Sequence, residues 1–156
     1  MQSPICTMLS IEFPLLAFSH CRDVVVAVSK AGGMGVFGAA SLPPHRLEEE
    51  LVWIDAHIGG KPYGVDLIVP NSFAGKGEDG PRAAPAIPAE HRDFVTDLLG
   101  QHGVEATDLT LTKESAGGLG TNMTDSGAAA LLEVAFRHPI GLIANALGVP
   151  PPLMLE

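Results

Sequence analysis

The sequence predicts an α/β fold: parallel strands with flanking helices. Three observations predict it. Short apolar runs recur without polar alternation, as strands covered on both faces require. Between them lie stretches with helical spacing of apolar residues. The two kinds alternate along the chain, which is the pattern of strand–helix–strand units and a parallel sheet. With 156 residues, 46% of them hydrophobic, the chain is long and apolar enough for one ordinary core.

The elements follow in order. Pro14 precedes "LLAFS", a buried strand. In "HCRDVVVAVSKAGG", Val24, Val25, Val28 and Ala31 fall at helical spacing, with Asp23 at the N-terminal end. Gly32 and Gly33 stop that helix as a left-handed cap does. "MGVFGAA" is the second strand. "SLPPHRLEEELVWIDAHIGG" is the clearest helix, with Ser41 as its cap and Pro43 and Pro44 in its first turn. Leu47, Leu51, Ile54 and Ile58 form its apolar stripe, and Gly59 and Gly60 end it. "PYGVDLIVP" is the third strand. Residues 71–89, rich in Gly, Ala and Pro, read as a long loop. "EHRDFVTDLLGQHG" is a helix with Phe94, Val95, Leu98 and Leu99 facing inward. A short strand is expected near Leu109. "TDSGAAALLEVAFRHP" is a helix capped by Thr124 or Asp125, and "IGLIANAL" is the fourth strand.

"GMGVFG", residues 33–38, spells a dinucleotide fingerprint. That motif works when a strand feeds the glycines and a helix leaves them, so that phosphate meets free N–H groups. Here a helix runs in and a strand runs out. The helix offers carbonyls, which repel phosphate. The glycines read instead as a helix stop and a strand against which a flat group packs closely.

Charge narrows the partners. Nine basic residues against 18 acidic ones give a net charge of −9, with no basic cluster. Nucleic acid and anionic membrane surfaces are therefore disfavoured. Cys6 and Cys21 stand in no metal or disulfide pattern, and no two of the six histidines share an i,i+4 spacing. No metal site is expected. No apolar run reaches spanning length and the first basic residue is Arg22, so a cytoplasmic chain is expected.

Two residues stand out. A carboxylate in an apolar strand is costly unless it meets a partner, so Asp66 reads as ligand-facing. His20, just past the first strand, is a candidate substrate or cofactor contact on a rim loop. Glu48, Glu49 and Glu50 read as a solvated helix face, and Cys21 as a core thiol. Trp53 and Phe94 read as core or helix contacts.

The segment "IEFPLLAFSHCRDVVVAVSKAGGMGVFGAASL" followed by "KPYGVDLIVP" resembles the nitronate monooxygenase family, formerly the 2-nitropropane dioxygenases. The "HCRD" variant and the closing "LIANALGVPP" resemble an actinobacterial-type branch. The likeness runs from about Ile11 to Pro152. It implies a TIM barrel that binds FMN and oxidises alkyl nitronates with O2 to a carbonyl compound and nitrite. Related barrels reduce enoyl thioesters with the same cofactor. By resemblance, backbone after the first strand lines the flavin, at Ala17, Phe18 and Ser19. Asp66 takes the place of the asparagine in the family's G-V-N-L, where an ionised carboxylate can only accept hydrogen bonds. Asn145 is a further candidate for the same face. This implies that Ser19 and Asp66 share one surface at the strand tips.

The family's catalytic histidine and its phosphate-binding glycine turns belong to the second half of the barrel, beyond this chain. A full barrel takes about 250 residues and eight strands, against four here. Residues 1–156 are thus expected to form a partial FMN-binding TIM-barrel domain, its N-terminal part, inactive alone. Expected partners are a nitronate, O2, and either a second copy or the missing C-terminal half. A non-catalytic half-barrel is the alternative from outside the enzymes.

Overall fold

A computed structural model describes residues 3–69, 88–104 and 120–155. The chain is α/β. Four parallel strands form one sheet in the order β1-β2-β3-β4: β1 Leu16–Ser19, β2 Met34–Gly38, β3 Tyr63–Leu67 and β4 Leu142–Asn145. Consecutive parallel neighbours joined by helices are what the first half of an eight-stranded α/β barrel looks like. Among the described residues no helix is long and apolar enough to cross a membrane.

The helices follow the apolar pattern, with corrections. A short helix, α1 (Pro4–Leu9), precedes the expected elements; Ser3 caps it and Pro4 opens it. Helix α2 is Arg22–Lys30. It buries Val25, Val26 and Ser29 rather than Val24 and Ala31, so its inward face is turned from the expected one. Gly32 does adopt positive φ (99°), which suits a residue without Cβ. Helix α3, Pro44–Ile58, buries Leu47, Leu51, Ile54 and Ile58 as its spacing predicts. Its N-cap is Pro43, not Ser41, and Gly59 closes it in the left-handed region.

Helix α4, Ala89–Gln101, belongs to a second compact unit and is described by itself. None of its residues is buried; Phe94, Val95 and Leu98 are exposed, contrary to the inward face expected of them. Of the loop expected at 71–89, residues 71–87 lie outside the described residues, and Ala89 already begins α4. The strand expected near Leu109 also lies outside them. Helix α5, Asp125–Ala135, is capped by the Thr124 hydroxyl, which accepts from the Gly127 N–H at 3.1 Å.

Strand alternation divides the first unit into two faces. Phe37, Tyr63, Val65 and Leu67 point into the main core with the apolar stripes of α3 and α5. Met34, Val36, Leu142 and Ala144 point the other way, where Cys6, Leu9 and Ile11 cover them. Helix α1 and the residues after it therefore close one part of the second face. The part toward the C-terminal strand ends is left open.

Candidate functional site

Register defines the open part of that face. Phe18 pairs with Val36, and Gly38 pairs with Asp66, which pairs in turn with Ala144. Phe18 and Asp66 thus share the face of Val36 and Ala144. His20, one step past β1, falls level with Gly38. A Cβ on Gly38 would lie 2.6 Å from His20 Nδ1 and 2.7 Å from Phe18 Cζ. Both rings fill the space that the missing side chain leaves. The flat groups packed on this glycine are the chain's own.

The His20 ring is fixed by two contacts. Its Nδ1 lies 3.0 Å from the Gly38 carbonyl oxygen. A carbonyl only accepts, so Nδ1 carries the proton, and in the neutral ring Nε2 is left as the acceptor. The Phe18 ring meets it edge-on, with centroids 5.0 Å apart at 81°. Across Gly38, burial pushes the Asp66 carboxyl above the usual range, and the nearby His20 pulls it partly back.

The remaining predicted residues face elsewhere. Ala17 pairs with Gly35, and Ser19 with Phe37, on the helix-covered side. The Ser19 hydroxyl accepts from the Cys21 N–H at 3.0 Å. Ser19 and Asp66 therefore do not share a surface, and Ala17 and Ser19 can meet a ligand on the open face only through backbone. Asn145, level with Leu67, does not join Asp66 either. Its amide accepts from Val69 N–H at 3.0 Å and donates to Val69 C=O at 3.1 Å, tying β4 to the end of β3. Cys21 is exposed rather than a core thiol.

Beside Gly38 opens a shallow cleft of about 230 Å³, lined by His20, Phe37, Gly38, Ser41, Leu42 and Glu50. That is below the roughly 300–1,000 Å³ of drug-sized pockets, so it suits a small group rather than a whole cofactor. Ser41 lines this cleft instead of capping α3. Buried Asn122 holds the loop in place, donating to the carbonyls of Ala40 at 2.9 Å and Leu42 at 2.8 Å. Glu50 is not part of a solvated face: it pairs with Arg22 at 3.2 Å, and its side chain is only 18% exposed. Arg22 also lies 4.4 Å from the centre of the Trp53 ring, which stacks on His57. Sequence reasoning missed Asn122, Ser41 and Glu50 as parts of this rim. Only the rim position of the loop after β2 could have signalled Ser41.

At the other end of the sheet a second polar cluster is closed. Asp55 accepts from the Tyr63 hydroxyl and from His138 Nδ1, both at 2.7 Å. Glu48 accepts from Arg137 at 2.8 Å and lies 3.5 Å from His138 Nε2. Burial, with the Asp55 carboxylate, pushes the Tyr63 phenol far above its usual range. The hydrogen bond from Arg137, with His138 adding to it, lowers the Glu48 carboxyl.

Known proteins resemble this chain along its whole length and in part. A Mycobacterium tuberculosis protein, provisionally named a monooxygenase, is 50% identical over 159 aligned positions, covering 100% of this chain and 42% of that protein. Proteins of Staphylococcus saprophyticus and Staphylococcus aureus, provisionally named nitronate monooxygenases, are each 34% identical over 68 positions, 41% of this chain and 19% of theirs. The chain thus spans less than half the length of the curated relatives it matches. No family model matches it. The likeness is to proteins named as monooxygenases.

Proposed function

We propose that the chain is the N-terminal, FMN-binding part of a cytoplasmic TIM-barrel oxidoreductase of the nitronate monooxygenase type. Such an enzyme oxidises alkyl nitronates with O2 to a carbonyl compound and nitrite. One observation carries this reading: Phe18, His20 and Asp66 converge around Gly38 on the open face, toward the C-terminal strand ends, where barrel enzymes hold their sites. The names of the relatives support it.

The residues fit a flavin in chemistry. Phe18, 57% exposed, offers an aromatic face to a flat ring. Asp66 offers a desolvated carboxyl to a ring N–H or a ribityl hydroxyl. Gly38 is already covered by the His20 and Phe18 rings, so a flat ring meets Phe18 rather than glycine backbone. When bound, FMN supplies electron transfer from the nitronate and reaction with O2. The chain's own part is to seat the ring, accept its hydrogen bonds and admit a small substrate beside His20. The second half would supply the phosphate clamp, so this chain alone is expected to release no nitrite.

Titrating the full chain with FMN and following flavin fluorescence tests the reading, alongside a nitrite assay with propionate-3-nitronate. Weak flavin binding without nitrite is expected. Absence of any flavin response, or wild-type turnover by the fragment, would contradict it in turn on cofactor and on completeness. A second reading is favoured by the sheet itself. Strands β1 and β4 are its edges, and Leu16 and Phe18 are exposed on β1. Unpaired edges and apolar surface invite association with a second copy or with the missing half. Light scattering on the eluting chain reads this directly: a dimer supports it, a monomer opposes it.

A further inference from the structure

Asp66 is a carboxyl placed where a charge is poorly served. Its register sets it between Gly38 of β2 and Ala144 of β4, on the open face with Phe18 and Val36. It is half-buried there. Among the described residues no donor hydrogen-bonds its carboxyl, and the titratable group that bears on it is His20, across Gly38. A flat ring laid against the exposed Phe18 would strip more water from the same face. A carboxylate that loses its water and gains no cation is costly, and protonation removes that cost. Burial already favours the neutral form.

The neutral form also suits a ring better. A protonated carboxyl holds a C=O acceptor and an O–H donor side by side. An imide edge, an N–H next to a C=O, is matched by both at once. A carboxylate matches the N–H alone and sets its second oxygen against the ring carbonyl. The flavin ring has such an edge, so the choice of ligand rests on the flavin reading above. We propose that Asp66 receives the imide edge of a ring ligand as a protonated carboxyl, accepting and donating together, so that the chain takes up a proton from solvent as the ring docks.

Riboflavin is the probe: it has the imide edge, lacks the titrating phosphate of FMN, and its ring stays uncharged over the range used. Its binding to the full chain is followed by fluorescence. The apparent Kd should rise between about pH 5 and about pH 8, by up to about tenfold per pH unit once the carboxyl ionises. Calorimetry on the wild type in two buffers of different ionisation heat needs no variant, and should find a proton taken up per riboflavin at neutral pH. Asp66→Asn keeps an acceptor and a donor side by side. It should bind at every pH as tightly as the wild type does in acid, with no proton uptake. His20→Gln should keep the pH slope. Riboflavin methylated on the imide nitrogen should bind the wild type several-fold more weakly. A slope that survives in Asp66→Asn or vanishes in His20→Gln overturns the proposal, as does equal affinity for the methylated ring. Riboflavin binding that ignores pH, with no proton uptake, sinks this inference alone; no riboflavin binding at any pH sinks the flavin reading and this inference with it.

Discussion

Two histidine–carboxylate groups lie at opposite ends of the sheet, and they are built differently. At the N-terminal end, His138 has a side chain only 7% exposed and gives Nδ1 to Asp55, which also takes the Tyr63 hydroxyl. Every oxygen of Asp55 has a partner. At the C-terminal end, His20 is exposed, spends Nδ1 on a backbone carbonyl and leaves Nε2 over. Asp66 is partly desolvated, and among the described residues no donor hydrogen-bonds its carboxyl. The first group has its carboxylate fully partnered, with only His138 Nε2 buried and without a hydrogen bond, 3.5 Å from Glu48, and it joins α3, β3 and the turn before β4. The second is unsaturated and faces outward. A buried carboxylate with both oxygens partnered ties elements together, and an open one at strand C-terminal ends is what a site needs.

The sharpest way to break this contrast is to remove Asp55. Asp55→Ala strands two donors, the buried Tyr63 hydroxyl and His138 Nδ1. A loss of about 3 kcal/mol in unfolding free energy is expected, read by urea denaturation. A loss under about 1 kcal/mol, the scale of an exposed pair, would mean the cluster is not structural.

The glycines sharpen the same contrast within one strand. A Cβ on Gly35 would lie 2.3 Å from the Val25 carbonyl oxygen, which is helix backbone and cannot yield. The nearest atoms to a Cβ on Gly38 belong to the side chains of His20 and Phe18, which can turn. Gly35→Ala should therefore cost about 2–3 kcal/mol and Gly38→Ala much less. Equal costs in parallel denaturation curves would show that Gly38 is as tightly packed as Gly35.

The four strands, α2, α3, α4 and α5 were legible from apolar runs and helical spacing. Helix α1 was not sought, although Ser3-Pro4 is a cap-and-first-turn signal. The Pro43-Pro44 pair outweighed Ser41, because Pro43 fixes the extended backbone that an N-cap needs and so moves the start of α3. Asp66 was legible because a carboxylate in an apolar strand is conspicuous. The His138–Asp55 tie was not, since it joins residues 83 apart with no local pattern. Asn145 misled for a related reason: a polar residue ending a strand can serve its neighbour's backbone as readily as a ligand. The alternation of β4 against β3 decides between these, and it needs register, which the sequence does not supply.

Removing the His20 ring should leave stability nearly unchanged. His20→Gln forfeits one exposed hydrogen bond, so a change within about 0.5 kcal/mol is expected. A loss as large as that of Asp55→Ala would place His20 with His138 as a structural tie and dissolve the contrast.

The subtlest test is the pH dependence of stability, where the two ends should run in opposite directions. Glu48 has its carboxyl lowered in the fold, so its contribution is present above the ordinary carboxylate range and fades as the pH falls through the lowered value. Asp66 has its carboxyl raised, so the folded state binds its proton more tightly than the unfolded chain does. Its contribution is present below the ordinary aspartate value and is lost as the pH rises through the raised one. Asp66→Asn removes that loss. The variant's melting temperature should approach or exceed the wild type's at neutral pH and fall behind it in acid. Glu48→Gln should do the opposite, matching the wild type in acid and trailing it at neutral pH. If both variants instead lose stability only at neutral pH, Asp66 is held by a partner as Glu48 is, and the C-terminal end of the sheet carries no carboxyl waiting for a ligand.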